Sequence, residues 1–148
     1  MSKGYTKFLG MILTSSILMY GVMYLNTYQL DHIFFSEMRL YMTILSTCVM
    51  AIVMLLFMLH MLKNKKANIA IIITSVVVFS LSFFMMRNQA TIDEVDYMQG
   101  MIPHHSIAIL TSERADIKDP RVRKLADDII EAQKKEIEEM KQLIEELK

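Results

Sequence analysis

The sequence predicts an all-helical membrane protein in two parts: three transmembrane helices, then an extracytoplasmic antiparallel helical hairpin. Three observations carry this prediction. Long apolar runs free of charge fill the first 90 residues, the charge changes sign after them, and the last 58 residues hold helix caps and a regular apolar alternation.

Phe8–Leu30, Leu40–Leu62 and Ala67–Met86 each run for at least 20 residues without Asp, Glu, Lys or Arg. About 20 apolar residues cross a hydrocarbon core roughly 30 Å thick, and a helix satisfies its own backbone there. The first run is too long for a secretory leader and lacks a small-x-small cleavage site. Lys3 and Lys7 precede the first run, and Lys63, Lys65 and Lys66 fill the second connection. Positive charge stays on the cytoplasmic side, so the N-terminus and that connection are placed there. Three crossings then put everything after Arg87 outside. The expected domains are a membrane anchor over 1–90 and an extracytoplasmic domain over 91–148.

Charge supports the boundary. Residues 1–90 carry seven basic and two acidic groups, a net +5, and residues 91–148 carry nine and fourteen, a net −5. No basic stripe survives in the acidic part to track a phosphate backbone, which excludes nucleic acid as a partner. The single cysteine, Cys48, lies in an apolar run and offers neither a disulfide framework nor a thiolate metal site. No phosphate-cradling glycine loop, nucleophilic cysteine or Ser/His/Asp set is visible.

Thr91-Ile-Asp-Glu94 reads as a capping box opening a helix that runs to about Arg114. Asp119-Pro120 supplies an N-cap and a first-turn proline for a second helix. The short link between them predicts an antiparallel return. In the second helix Val122, Ala126, Ile129, Gln133, Glu136, Met140, Leu143 and Leu147 alternate by four and three, flanked by Leu125, Ile137 and Ile144. That is a packing seam with two polar residues at its middle. In the first helix Glu94, Tyr97, Met98, Met101, His104, His105, Ala108 and Ser112 fall on one side. Met98, Met101 and His105 are spaced to converge, and Pro103 removes a backbone donor beside them, predicting a bend. Two helices of this length are too small to bury a core alone, so two hairpins are expected to pair into a four-helix bundle as a homo-oligomer.

The run Tyr97-Met-Gln-Gly-Met-Ile-Pro-His-His-Ser-Ile-Ala108 resembles the signature of the bacterial family known as domain of unknown function 305. Asp119-Pro-Arg-Val-Arg-Lys-Leu-Ala126 and Ile130-Glu-Ala-Gln-Lys-Lys-Glu-Ile-Glu-Glu-Met140 resemble its second half. The likeness covers about residues 91–147. The family is described as ferritin-like, and some extracytoplasmic members bind copper. The resemblance implies that Met101, His104, His105 and Met140 are motif positions, with Gln133 and Glu136 beside them. A three-span N-terminus is similar to a membrane-bound branch of that family.

The candidate metal site is therefore Met98, Met101, His104, His105, Glu136 and Met140. Thioether and neutral imidazole suit soft Cu(I), whereas zinc or di-iron centres want thiolates or several carboxylates. A packed core with hydrogen-bonded histidines and methionine filler would leave the same trace. Met50, Met54, Met58 and Met61 on the second span, with Met11, Met19 and Met23 on the first, read as packing, with a thioether ladder for Cu(I) as the alternative. Asp31 and His32, with Met38 and Met42, are expected to abut the outer bundle. The expected function is a membrane-anchored copper-binding protein for envelope copper handling or tolerance. It sits in the lipid bilayer of a bacterial plasma membrane and is not a catalyst. One rival is a ferritin-like metal-dependent oxidoreductase, weakened because no Glu-x-x-His occurs. The other is an oligomerisation module without metal.

Overall fold

A computed structural model describes residues 3–89 and 91–147. Among them are five α-helices and no strand: α1 Lys3–Val22, α2 Glu37–Phe57, α3 Lys65–Asn88, α4 Glu94–Arg114 and α5 Pro120–Leu147. The chain makes two compact units. One holds the chain through Val22 with Met38–Thr91, and the other holds Met23–Glu37 with Ile92 onward.

The first unit is the apolar one. Two of its helices, α2 and α3, are long and apolar enough to cross a membrane. This corrects the expectation of three spans. α1 ends at Val22 instead of reaching Leu30, because Met23–Asn26 form a turn and the chain continues as an irregular segment into a 3-10 turn at Leu30–His32. What remains of α1 includes Lys3, Lys7 and a Thr14-Ser15-Ser16 patch. The second run also stops early, at Phe57, before a turn over 58–61. Phe8 and Ile12 of α1 are buried with Ala51, Leu55 and Leu62, and Met50, Met54 and Met58 pack against that cluster. Packing is thus the role the structure gives these three methionines. Polar groups within the unit are paired: the Tyr5 hydroxyl donates to Asn68 Oδ1 at 2.6 Å, and Asn68 Nδ2 donates to the Leu62 carbonyl at 2.7 Å. Ser16 and Thr47 share a hydrogen bond of 2.8 Å. Large apolar side chains such as Phe57 and Phe84 face outward.

The second unit is built on α4 and α5, which pack along one another. α4 is capped by Asp93, whose side chain accepts from the Asp96 N–H at 2.8 Å. Thr91 is not the cap; its hydroxyl pairs with Tyr41 at 2.8 Å. The helix starts two residues later than the capping-box reading, and Glu94 is released from cap duty. α4 continues without interruption through Pro103, which is fully buried. α5 opens at Pro120, with Asp119 Oδ1 accepting the Arg121 N–H at 2.9 Å. The core of the unit is Met98, Ile102, Ile109, Ile137 and Ile144. On α5 the buried residues are Ala126 of the predicted seam and the flanking Ile137 and Ile144, while Val122, Ile129, Leu143 and Leu147 of the seam and the flanking Leu125 stay exposed. The intrachain face is thus the side of the seam that carries the flanking isoleucines.

Met23–Glu37 completes this unit as a strap. Ser106 of α4 is 0% exposed, and a buried hydroxyl needs partners. Its Oγ accepts the Tyr28 N–H at 2.6 Å and lies 3.0 Å from His32 Nδ1. Ser106 Oγ and His32 Nδ1 share this hydrogen bond, and the tautomer of the ring decides which of them donates. Nε2 lies 3.9 Å from Asp31. The resulting Ser106, His32 and Asp31 row was not visible in the sequence, and it is a structural tie because a fully enclosed hydroxyl meets no substrate. Burial pushes the His32 imidazolium down toward the neutral ring that this bond uses. Asp31 also receives Lys141 Nζ at 2.7 Å, so the strap is fixed to both helices.

Two outcomes follow for stability. Ile137→Ala, which empties a site 1% exposed, costs about 2–5 kcal/mol in a denaturant melt of the helical signal. Ser106→Ala removes the acceptor of the Tyr28 N–H and the partner of the buried His32 ring, and costs about 1–3 kcal/mol. The Asp31 tie has a pH window. The hydrogen bond from Lys141 holds the Asp31 carboxyl below its ordinary range. Burial pulls the Lys141 ammonium down, but Asp31 and Glu138 outweigh it and raise it overall. The carboxylate's contribution is present above the ordinary aspartate range and lost as pH falls through the lowered value. The ammonium's contribution is present below the ordinary lysine range and lost as pH rises through the raised value. The protection of amides 28–33, measured against their intrinsic exchange rate, therefore falls at both extremes, and Asp31→Asn abolishes the acid limb of that fall.

Candidate metal centre

α4 and α5 leave a cavity of about 850 Å³ beside the strap-bearing core. Its lining brings together Met98, Met101, His105, Glu136 and Met140, five of the six residues picked out in the sequence. The reason is helical register. Met98, Met101 and His105 stand three and four residues apart on α4, and Glu136 and Met140 stand four apart on α5. His104 is not among the lining residues and is exposed, because neighbours on a helix point about 100° apart. Of the adjacent pair, only His105 enters the site.

His105 is held from both sides. Its Nδ1 lies 2.9 Å from the Met101 carbonyl, one turn back, so Nδ1–H donates there and the ring plane is fixed. Nε2 then faces Glu136, whose Oε2 is 2.7 Å away. Glu136 also accepts from Gln133 Nε2 at 3.4 Å. Nε2 donates to the carboxylate in this arrangement. With that proton gone, the same nitrogen offers a lone pair to a cation, and Glu136 is the nearest anionic oxygen.

Met98 is buried, while Met101 and Met140 are half-buried at the cavity wall. Tyr97, Ile92, Leu143 and Leu147 give the rest of the wall its apolar character, and Asp93, Glu94 and Glu139 supply further carboxylates. Glu94, read from sequence as a capping residue, is thus a wall residue. Among the described residues no three His, Cys, Asp or Glu gather closely enough to hold a metal ion. The donors that converge are thioethers with one imidazole and one carboxylate, a set that fits a soft monovalent ion better than zinc or iron.

A second cavity, of about 340 Å³, lies between the strap and the helices, lined by Tyr28, Gln29, His32, Ile109, Lys134, Ile137 and Glu138. Lys134 Nζ lies 5.9 Å from the Tyr28 ring centre there. Sequence reasoning missed Ser106 and Tyr28. The available signal was a serine spaced with Met98, Ile102 and Ile109 on an apolar face, where a polar group must have a partner.

Residues 88–148 match the family described as Domain of unknown function (DUF305). The chain is 35% identical over 145 residues to "Uncharacterized protein L153" of Acanthamoeba polyphaga mimivirus, covering 93% of this chain and 93% of that protein. No solved structure matches the chain. The family match spans α4, α5 and all five converging donors, and the chain belongs to the DUF305 family.

Proposed function

We propose that this protein is a membrane-anchored copper-binding protein that captures Cu(I) as cargo in the cavity between α4 and α5. The observation that carries the reading is that Met98, Met101 and His105 of α4 and Glu136 and Met140 of α5 line one cavity. Thioethers bind soft ions selectively, and a ring already oriented by the Met101 carbonyl needs little reorganisation to ligate. Copper binding exchanges the Nε2 proton for the ion and leaves Glu136 to balance charge. The acidic wall favours entry of a cation by raising its local concentration.

In this reading α4 and α5 form an antiparallel hairpin, and two hairpins from two chains associate as a four-helix bundle. The anchor is α2 and α3. Lys63, Lys65 and Lys66 between them stay cytoplasmic together with the N-terminus, whose Tyr5 hydroxyl reaches Asn68 beside that connection, so Met23–Glu37 and the chain after α3 emerge on the outer face of the membrane. That places the strap and the hairpin in the same compartment, where envelope copper handling or tolerance would draw on them. The role is capture and transfer, not catalysis.

Copper titration of the full chain in detergent, under reducing conditions with a competing Cu(I) chelator, tests the reading. The intact chain is expected to compete at least tenfold better than a Met101→Leu/His105→Ala/Met140→Leu triple variant of equal helicity. A His104→Ala variant is expected to bind like the intact chain. Equal competition by the intact chain and the triple variant rules the reading out.

A further inference from the structure

Most of the apolar seam predicted along α5 is turned away from α4 and remains uncovered, although Ala126 is buried and Met140 packs partly against the core. Val122 is 50% exposed, Leu125 58%, Leu143 41% and Leu147 59%. Its sequence has a property that a face packed against a different helix would not need. Read outward from the midpoint between Lys134 and Lys135, it is a palindrome of positions. Val122 mirrors Leu147, Ala126 mirrors Leu143, Ile129 mirrors Met140, and Gln133 mirrors Glu136. In each pair but the last both members are apolar. In the last, an amide meets a carboxylate.

Charge has the matching asymmetry. Residues 120–134 carry four basic and three acidic groups, and residues 135–147 carry two basic and five acidic. Side-by-side parallel pairing would set the acidic end of one helix on the acidic end of the other. Antiparallel pairing sets each acidic end on a basic one.

We infer that the exposed seam of α5 is covered by α5 of a second copy of this chain, antiparallel, about a two-fold axis passing between Lys134 and Lys135. The inference deepens the proposed function, because the axis runs beside the candidate site. Gln133 of each copy faces Glu136 of its mate, so the polar pair at the seam's middle is paired across the axis, as a buried carboxylate requires. Glu136 already holds His105 at 2.7 Å, so the pairing brings both imidazoles and both carboxylates into one central layer. Ile129 and Leu125 of one copy then close the Met140 and Leu143 wall of the other's cavity. The isologous symmetry is self-closing and limits the assembly to a dimer at this face.

Cysteine cross-linking of the full chain in detergent tests the register, in a Cys48→Ala background with a short bifunctional thiol reagent and no copper. Leu125→Cys and Leu143→Cys chains are prepared separately. Mixed and allowed to exchange, they are expected to give cross-linked dimers. Neither chain alone should do so, because each position lies about 25–28 Å along the helix from its own mate at 1.5 Å per residue. Cross-linking of Leu125→Cys with itself would mean parallel pairing and would overturn the inference. Monomers in every mixture, with native helicity retained, would also overturn it. The copper reading fails separately: a cross-linked dimer that ignores copper removes the function and keeps the register, while a copper-loaded monomer does the reverse.

Discussion

The second unit depends on what happens to one hydroxyl. Ser106 sits in the middle of α4 with no access to solvent, and an unpaired polar atom there would oppose folding. The Tyr28 N–H and the His32 ring supply what it lacks, and in doing so they bring the strap down onto the helix. The strap carries Tyr28 and Phe34 against the core of Ile102, Ile109 and Ile137, which two helices alone would leave thinly covered. Ser106 also adjoins His105 in the chain. The tie that holds the strap therefore anchors the turn of helix from which His105 reaches the cavity.

α5 has two apolar faces, and the difference between them organises the unit. One, Ala126–Ile137–Ile144, is consumed by α4. The other carries its apolar side chains into the open, with Gln133 and Glu136 at its centre. A helix that is apolar on two sides can pack against two neighbours, and among the described residues α4 takes one of the two faces. Glu136 and Met140 stand where the two faces meet, so the proposed copper site and the proposed self-association share this helix.

Much of this was legible in the residues. Helix caps and proline placement located α5 to the residue, since Asp119-Pro120 has few other meanings. Helical spacing set Met98, Met101 and His105 on one side, and the α5 pattern with the family resemblance added Glu136 and Met140, while His104 of the same set faces away. Where reading failed, a tertiary alternative outweighed a local signal. Thr91 and Asp93 both suit an N-cap, and the hydroxyl of Thr91 found Tyr41 instead. The first apolar run looked like one span, because hydropathy does not register that Met23–Leu30 leave the helix. The strap was legible only in outline: Asp31 and His32 meet the helices as expected, but the partners they take there were not readable. Its partners Asp31 and Lys141 stand 110 residues apart, and no period or motif connects them.

That non-contiguity bears on how the protein can be dissected. The family segment begins at residue 88, but the folding unit that contains it also includes 23–37, which reaches it only in three dimensions. An excised C-terminal piece would carry every candidate donor and still be missing a wall of its own interior, with Ser106 and Ile109 laid bare. For this chain the heritable module and the thermodynamic one have different borders, and work on isolated segments would be studying a partly opened state.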